Sequence, residues 1–547
     1  MLTKMTKVVK EETTSTKEKQ VTNFMGGKSY EVDPLETLKM VTASSIFGEP
    51  QYYRDGEFAQ KGVKDGMYSV NRYFKAYSTL DDDRYSGWKT SEIMEDVIDK
   101  ALDFDFEATL EWAVILRKFY LMRLNPQVIM VRASIHPKKD KFIKSRAGMF
   151  DKYNQEVMSR ADEPMTQFVY FLHKNKSHKN LPNILKRGWA KKISSLKPYQ
   201  FNKYKNAGFG MKDIIRICHP KSPIVDEFMK TGTVSVKETD LTWEMLKSDG
   251  KSWLEIINTI KIPHMALLRN LRGIFTEIND SDICKKLMSE LKDGVIGGNQ
   301  FPFRYYSALK EIESSTVNHK PLIIDALEEC MDIAKENMPK LKGKTMCLTD
   351  NSGSAWGAFT SEYGSVRIAE INNLSSVVTA QNSDEGYVGV FGDRLDVKAI
   401  SKRNGTLAQA SEITRDRGSK VGGGTENGIW IFFNKAIKEK EHWDNIFIYS
   451  DMQAGHGGLY GINPDEYRNF TTNERYIDVN KLVKEYRQKV NPKVNVFMVQ
   501  TAGYTNVLVP EYGYRTNILY GWTGKELLFA NEMNQLWDAN DNKKRRN

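Results

Sequence analysis

The sequence predicts two architectures in one multidomain chain, an α-solenoid over residues 25–340 and a doubly wound α/β domain over residues 341–547. Three observations predict this. Apolar residues before residue 340 recur at helical spacings, and strand alternation there is scarce. After Pro339-Lys-Leu-Lys-Gly-Lys344 the texture changes to short β-rich runs separated by helical or loop segments, the pattern of an α/β sheet. The length of 547 residues also exceeds what one hydrophobic core usually serves.

The first 24 residues are polar and rich in Lys, Thr and Glu, and read as a disordered tail without the apolar stretch of a signal peptide. Leu35, Leu38, Val41 and Ile46 then open the helical region, followed by Ile93, Val97, Ile98 and Leu102, and later by Ile214, Ile215 and Ile217. Asn125-Pro126, Leu181-Pro182, Ile262-Pro263 and Phe301-Pro302-Phe303 punctuate it into helices joined by short loops. Serial helices without a strict repeat suggest degenerate helical hairpins curved into an arc or ring. The β-rich runs are 345–349, 387–391, 395–400, 445–450, 494–500 and 515–520, and the second and third are close enough to form a hairpin with an antiparallel edge.

Composition sets limits on function. No apolar stretch approaches the roughly 18 residues of a membrane span. Cys218, Cys284, Cys330 and Cys347 are scattered, which argues against a zinc site or disulfide framework and favours a reducing cytoplasm. The net charge of +10 is localised: residues 121–219 hold 21 Lys and Arg against 6 Asp and Glu, a balance of +15, so the rest carries −5. A basic band interleaved with aromatics is the electrostatic footprint of nucleic-acid binding. Arg132, His136, Lys138 and Lys139 form one basic segment, and Lys186, Arg187, Lys191 and Lys192 another. Such side chains neutralise phosphates without reading sequence. Trp189 and Tyr204 are candidates for base stacking, with core packing the more ordinary role for each.

A second site lies at Thr345-Met-Cys-Leu-Thr-Asp-Asn-Ser-Gly-Ser354. A buried-strand run ends in Asp350, with Ser352 and Ser354 following at every second position, where open α/β sheets place their ligands. One carboxylate and two hydroxyls form a hard oxygen set suited to Mg²⁺ or another divalent cation. Thr425 follows a glycine run at the start of an expected helix, and Asp451 ends the 445–450 strand, so both are expected at the same place. The pattern resembles the metal-ion-dependent adhesion site of von Willebrand factor A domains, which have a Rossmann-like fold.

Further phrases occur in order: Gln127-Val-Ile-Met-Val-Arg-Ala-Ser-Ile-His-Pro-Lys-Lys-Asp-Lys-Phe142, Leu181-Pro-Asn-Ile-Leu-Lys-Arg187, Tyr204-Lys-Asn-Ala-Gly-Phe-Gly-Met-Lys-Asp-Ile-Ile-Arg-Ile-Cys-His-Pro-Lys221 and Pro263-His-Met-Ala-Leu-Leu-Arg-Asn-Leu271. The series resembles the TROVE module of the Ro autoantigen family, and the A-type domain follows it as in that family. The resemblance implies a ring of HEAT-like repeats closed by the A-type domain. It also implies binding of small structured non-coding RNA, Y-RNA-like, on a basic outer surface, with single-stranded ends of misfolded RNA in the central hole. Lys203, Lys205, Lys212, Arg216 and His219 match the family's RNA-contacting segments, although the phrase Lys203–Gly208 lacks an arginine that the family carries. A ribonuclease or another protein is the implied partner of the A-type domain.

The resulting expectation is a monomeric, cytoplasmic RNA-binding protein in RNA quality control or processing, without enzymatic activity. The alternative is a protein-interaction scaffold that uses the metal-dependent domain and binds no RNA. The glycines at 422–424 and Gly521-Trp-Thr-Gly-Lys525 lack the residues that complete a phosphate loop. His456 has no paired nucleophile, and too few carboxylates are expected around Asp350 for two-metal hydrolysis.

Overall fold

The computed structural model describes residues 20–22, 28–31, 33–44, 90–175, 180–204, 209–237, 240–298, 300, 302–357, 366–423, 426–450, 479–501, 506–507, 515–520 and 526–544. A short hairpin of β1 (Gln20–Thr22) and β2 (Lys28–Glu31) precedes α1 (Pro34–Ser44). The helical region continues with α2 (Thr90–Phe104), α3 (Phe106–Lys118), α4 (Asn125–Ile135), α5 (Lys139–Ser145), α6 (Met149–Val157), α7 (Glu163–Asn175), α8 (Asn183–Ser194), α9 (Pro198–Lys203), α10 (Met211–Cys218) and α11 (Pro223–Thr231). After these come α12 (Trp243–Ser248), α13 (Trp253–Thr259), α14 (His264–Glu277), α15 (Ser281–Gly298), α16 (Pro302–Glu313) and α17 (Lys320–Ala334). The α/β region comprises β3 (Leu341–Asp350), α18 (Gly353–Gly357), α19 (Ile368–Gln381), β4 (Ser383–Phe391), β5 (Leu395–Ala399), α20 (Thr406–Glu412), α21 (Glu426–Lys438), β6 (Asn445–Ser450), α22 (Val479–Lys489), β7 (Asn495–Gln500), β8 (Asn506–Val507), β9 (Thr516–Tyr520) and α23 (Glu526–Lys544).

Local chemistry sets many helix boundaries. Ser222 caps α11 by accepting the Val225 N–H, Pro223 occupies the first turn, and Gly232 ends the helix at φ 80°. The helices then layer in alternation. Arg132 on α4 reaches Asp99 on α2 and the Tyr170 hydroxyl on α7, so α2, α4 and α7 share one layer. Lys118 on α3 pairs with Glu156 on α6, and Lys191 on α8 pairs with Asp151 on α6, which defines the other. A buried amide hub joins the layers: Trp189 Nε1 donates to Gln167, whose amide donates to Gln127 and Asn154. At Gly188 a Cβ would sit 2.8 Å from the Asn154 amide nitrogen, so glycine is what permits α6 and α8 to approach.

The sheet has the order β5-β4-β3-β6-β7-β9, parallel except for the edge strand β5, which pairs antiparallel with β4. The expected runs therefore recur as strands, including the hairpin at the edge. β6 is buried along its length and β3 along residues 345–350, as parallel strands covered on both faces require. The phenyl and indole rings of Phe447, Phe497 and Trp537 stack on one face, and Phe433 packs on Tyr486 elsewhere in the core.

The helical region meets the α/β domain at both of its ends. At one end α17 leads into β3, Asp332 accepts from Thr406 N and Oγ1, and Glu370 on α19 accepts from Tyr306 and pairs with Lys310 on α16. At the other, β2 pairs with β8, and α1 packs against α2, α3 and β9. Residues 20–22, which composition assigns to a disordered tail, form a strand there because they pair with Lys28–Tyr30 of β2, which is itself held by β8. Thr42 on α1 accepts a 2.9 Å hydrogen bond from Trp112 Nε1 on α3. Leu35 and Leu38 are buried at this junction, and the buried Tyr120 hydroxyl is pushed up by burial and then by the Glu526 and Glu36 carboxylates.

Leu38 is fully buried, so Leu38→Ala is expected to destabilise the folded state by about 2–5 kcal/mol. Chemical denaturation followed by tryptophan fluorescence measures this, and an unchanged midpoint would mean that α1 contributes nothing to stability.

Candidate functional site

The order of strands reverses beside β3, whose crossovers leave toward β4 on one side while β6 lies on the other. Crevices at the carboxyl ends of strands at such a point are where α/β sheets bind ligands. Asp350 ends β3 there and is fully buried. Its Oδ1 accepts the Ser352 N–H at 2.9 Å and its Oδ2 accepts from Ser450 Oγ at 2.7 Å. The hydroxyl oxygens of Ser352 and Ser354 lie 3.0 Å apart. Adjacent ligand oxygens of an octahedral ion with ~2.1 Å bonds are about 3 Å apart, so the two hydroxyls fit neighbouring positions on Mg²⁺.

Two loops reach this end of the sheet. Gly353 N–H donates to the Gly423 carbonyl at 2.9 Å, which brings the glycine run beside Ser352 and Ser354. Asp393 in the β4–β5 loop accepts the Gly423 N–H, and Gly422 takes φ 89°. Thr425 and Asp451 lie outside the described residues. Their described neighbours, Gly423 and Ser450, are both hydrogen-bonded within this cluster.

Beneath the cluster runs an amide network that sequence reasoning missed. Asn373 on α19 accepts from Thr349 Oγ1 and the Asn351 amide, and donates to Asn351 and to Thr414. Thr414 belongs to a π-helical turn, Ile413–Arg417, a feature common at functional sites. The paired asparagines Asn372-Asn373, an unusual dipeptide for a helix interior, are the signal that could have found it.

The basic residues divide into two groups. Arg132 is held by Asp99, Glu95 and Tyr170, and its basicity is raised because the Asp99 bond and charge outweigh the burial that opposes them. His136 caps α4 with its ring buried against Phe106, 3.5 Å from the Asp103 carboxylate. Lys138 also reaches Asp103, Lys139 pairs with Asp140, and Lys203 pairs with Glu244. Each of these has a carboxylate neighbour already.

The second group has none so close. Lys186 and Arg187 on α8 have no ion-pair partner among the described residues, and Arg187 is exposed. Arg216 is two-thirds exposed, with Asp213 no nearer than 4.0 Å. His219 is exposed and ends α10 in the left-handed conformation, φ 49°. The helices α8 and α10 pack together, and Ser194 at the end of α8 donates to the Lys221 carbonyl just beyond His219. Lys212 lies on the same helix over the Phe228 ring. Lys192, on the last turn of α8, has its basicity lowered by burial and by Arg117, against the pull of Glu163. Sequence windows suggested one band, whereas packing gathers Arg187, Lys192, Arg216, His219 and Lys221 at adjoining helices. Lys205 lies outside the described residues.

Trp189 is fully buried in the amide hub and is a core residue, not a stacking platform. Tyr204 is partly buried and its hydroxyl bonds Arg160. The four cysteines are buried, and burial pushes the thiols of Cys218 and Cys330 up to about 12. They are poor nucleophiles at neutral pH.

These features define a class: a mostly helical chain whose two ends abut a six-stranded, mostly parallel Rossmann-like domain. That is the fold of the Ro proteins. The crystal structure of the Deinococcus radiodurans Ro (RSR) protein matches with a TM-score of 0.54 over 80% of this chain and 94% of that one, at 13% identity. No protein family model matches the chain, and no curated protein does.

A thiol reagent added to the native protein near pH 8 is expected to modify none of the four cysteines, and all four after denaturation. Rapid labelling of Cys218 or Cys330 in the folded state would contradict their burial.

Proposed function

We propose that the protein is a Ro-like RNA-binding protein that holds RNA on the cationic face of α8 and α10. The observation that carries this reading is the set of cations there without close carboxylates, on a fold shared with a Ro protein. Uncompensated exposed cations attract a polyanion, and RNA phosphates release counterions when they are neutralised. On this reading the helical region forms a HEAT-like ring closed by the A-type domain. Y-RNA-like and misfolded RNAs are its partners, and quality control or processing in the cytoplasm is its setting. The protein acts as a monomer and catalyses no reaction itself.

The sheet-end cluster is read as a metal-ion-dependent adhesion site. Asp350, Ser352 and Ser354, with Thr425 and Asp451 from the neighbouring loops, would hold Mg²⁺ or another divalent cation. The ion would supply an electrophilic coordination position for a carboxylate of a protein partner such as a ribonuclease. The chain's own part is to orient it: Ser450 and the Ser352 N–H occupy one lone pair on each Asp350 oxygen, fixing the direction in which the remaining lone pairs point.

A mobility-shift titration of small structured RNA over a salt series tests the first reading. Affinity is expected to fall steeply with salt, and replacing Arg187 and Arg216 by Gln should weaken binding about tenfold while lowering the salt slope by roughly 0.9 per duplex-phosphate contact. Absence of RNA binding at low salt would leave the scaffold alternative in its place. For the second, Asp350→Ala should abolish Mg²⁺ binding by calorimetry with RNA affinity unchanged. Loss of RNA binding in that folded variant would show that the two sites are coupled.

A further inference from the structure

Beneath the loop that carries Asp350, Ser352 and Ser354, Asn373 on α19 uses its whole hydrogen-bonding capacity in the interior. Its carbonyl accepts from Thr349 Oγ1 and from the Asn351 amide, both at 2.8 Å. Its own amide donates to Asn351 Oδ1 at 2.9 Å and to Thr414 Oγ1 at 3.1 Å. An amide side chain has two donors and two acceptor lone pairs, so none of Asn373's is idle. Asn351 and Asn373 are both buried and clasp each other through two reciprocal bonds.

Asn351 is the residue between Asp350 and Ser352, and three elements grip it. Its backbone N–H donates to the Phe391 carbonyl at the end of β4 at 2.8 Å, and α19 holds its side chain. Gly418, just past the π-helical turn Ile413–Arg417, closes so tightly that a Cβ there would come within 2.4 Å of Asn351 Oδ1. Thr414 of that turn also bonds Asn373. A buried amide bond adds only about 1 kcal/mol net, and apolar partners of the same shape would serve stability nearly as well. Asparagine is also a poor choice for a helix interior. What a saturated buried network supplies is direction. Residue 351 cannot turn without carrying Asp350 and Ser352 with it.

The dimension held in this way discriminates between ions. The Ser352 and Ser354 hydroxyl oxygens lie 3.0 Å apart. Adjacent oxygens on an octahedral ion are about 3.0 Å apart for Mg²⁺ with ~2.1 Å bonds, but about 3.4 Å for Ca²⁺ with ~2.4 Å bonds. Mg²⁺ demands near-ideal geometry, whereas Ca²⁺ accepts flexible ligand sets. A loop that cannot spread therefore favours the smaller ion. We infer that Asn373 is a specificity-determining positioning residue of the metal site, acting through Asn351 to hold the Asp350–Ser354 loop at the Mg²⁺ spacing and so to disfavour Ca²⁺. This rests on the metal-ion reading above.

The test titrates the metal-free, full-length protein with Mg²⁺ alone and with Ca²⁺ alone by calorimetry. The unmodified protein should bind Mg²⁺ the more tightly. Asn373→Ala is expected to weaken Mg²⁺ binding about tenfold, as loss of a group that orients metal ligands does. Ca²⁺ affinity should change by less than about twofold, so the preference for Mg²⁺ falls by about fivefold or more. Thr414→Val removes one bond of the network and nearly keeps its shape. It should shift the ratio the same way by a smaller factor, and it serves should Asn373→Ala fail to fold. The ratio is the readout that a merely structural role would not move, because partial unfolding lowers both affinities together. An unchanged ratio in the variants that fold, or an unmodified protein that binds Ca²⁺ as tightly as Mg²⁺, would overturn this inference and leave the metal site standing. Absence of binding of either ion by the unmodified protein would overturn the metal-ion reading as well.

Discussion

The architecture depends on closure. The helical region touches the α/β domain where α17 runs into β3 and again where β2 and α1 reach β8 and β9. Each end of a helical array presents a face that lacks a next repeat, and such faces need a cap. Here one domain caps both. At the β3 end its helices serve this purpose, with Glu370 of α19 bonded to α16 and Asp332 of α17 bonded to Thr406 at the start of α20, and at the other end its strands β8 and β9 do. The α/β domain thus covers surface that the helices would otherwise leave open at both ends.

The same closure links the sheet-end cluster to the helical region through short covalent distances. Glu370, which meets the helices, lies two residues before Asn372, whose amide donates to the Asp350 carbonyl, and three before Asn373 of the buried network. Position and side-chain satisfaction are set together, because rotating Asn373 would break its bonds to Asn351, Thr349 and Thr414 at once. The orientation of the hydroxyls above it is fixed by chemistry that lies below.

Much of the α/β half was legible in the sequence. Apolar runs at 345–349 and 445–450 mark central strands because a parallel strand covered on both faces must be apolar throughout, and Asp350 stands out as the carboxylate that ends one. The strand at 20–22 was illegible because the strand it pairs with is itself anchored on residues 506–507, almost five hundred residues away. Charge counting failed in a more instructive way. The acids that engage Arg132, His136, Lys138, Arg146 and Lys203 are Asp99, Asp103, Glu107 and Glu244, all outside the basic window. A linear window sees lysines and arginines in surplus, whereas helix layering decides which of them remain unmatched. Trp189 is the same lesson for aromatics, since its indole N–H is committed to an amide partner that no spacing rule announces.

The two junctions that close the circuit are unequal in kind. The one at β3 is crossed by the polypeptide itself, while the one at α1 is held by a pair of residues on β8, a buried leucine face and one indole hydrogen bond. In mechanical terms one seam is welded and the other buttoned. The welded seam parts only if the chain is cut, whereas the buttoned one parts whenever α1 peels from α2, α3 and β9. Local opening of the fold therefore begins at α1, with the α/β sheet and the seam at β3 left intact.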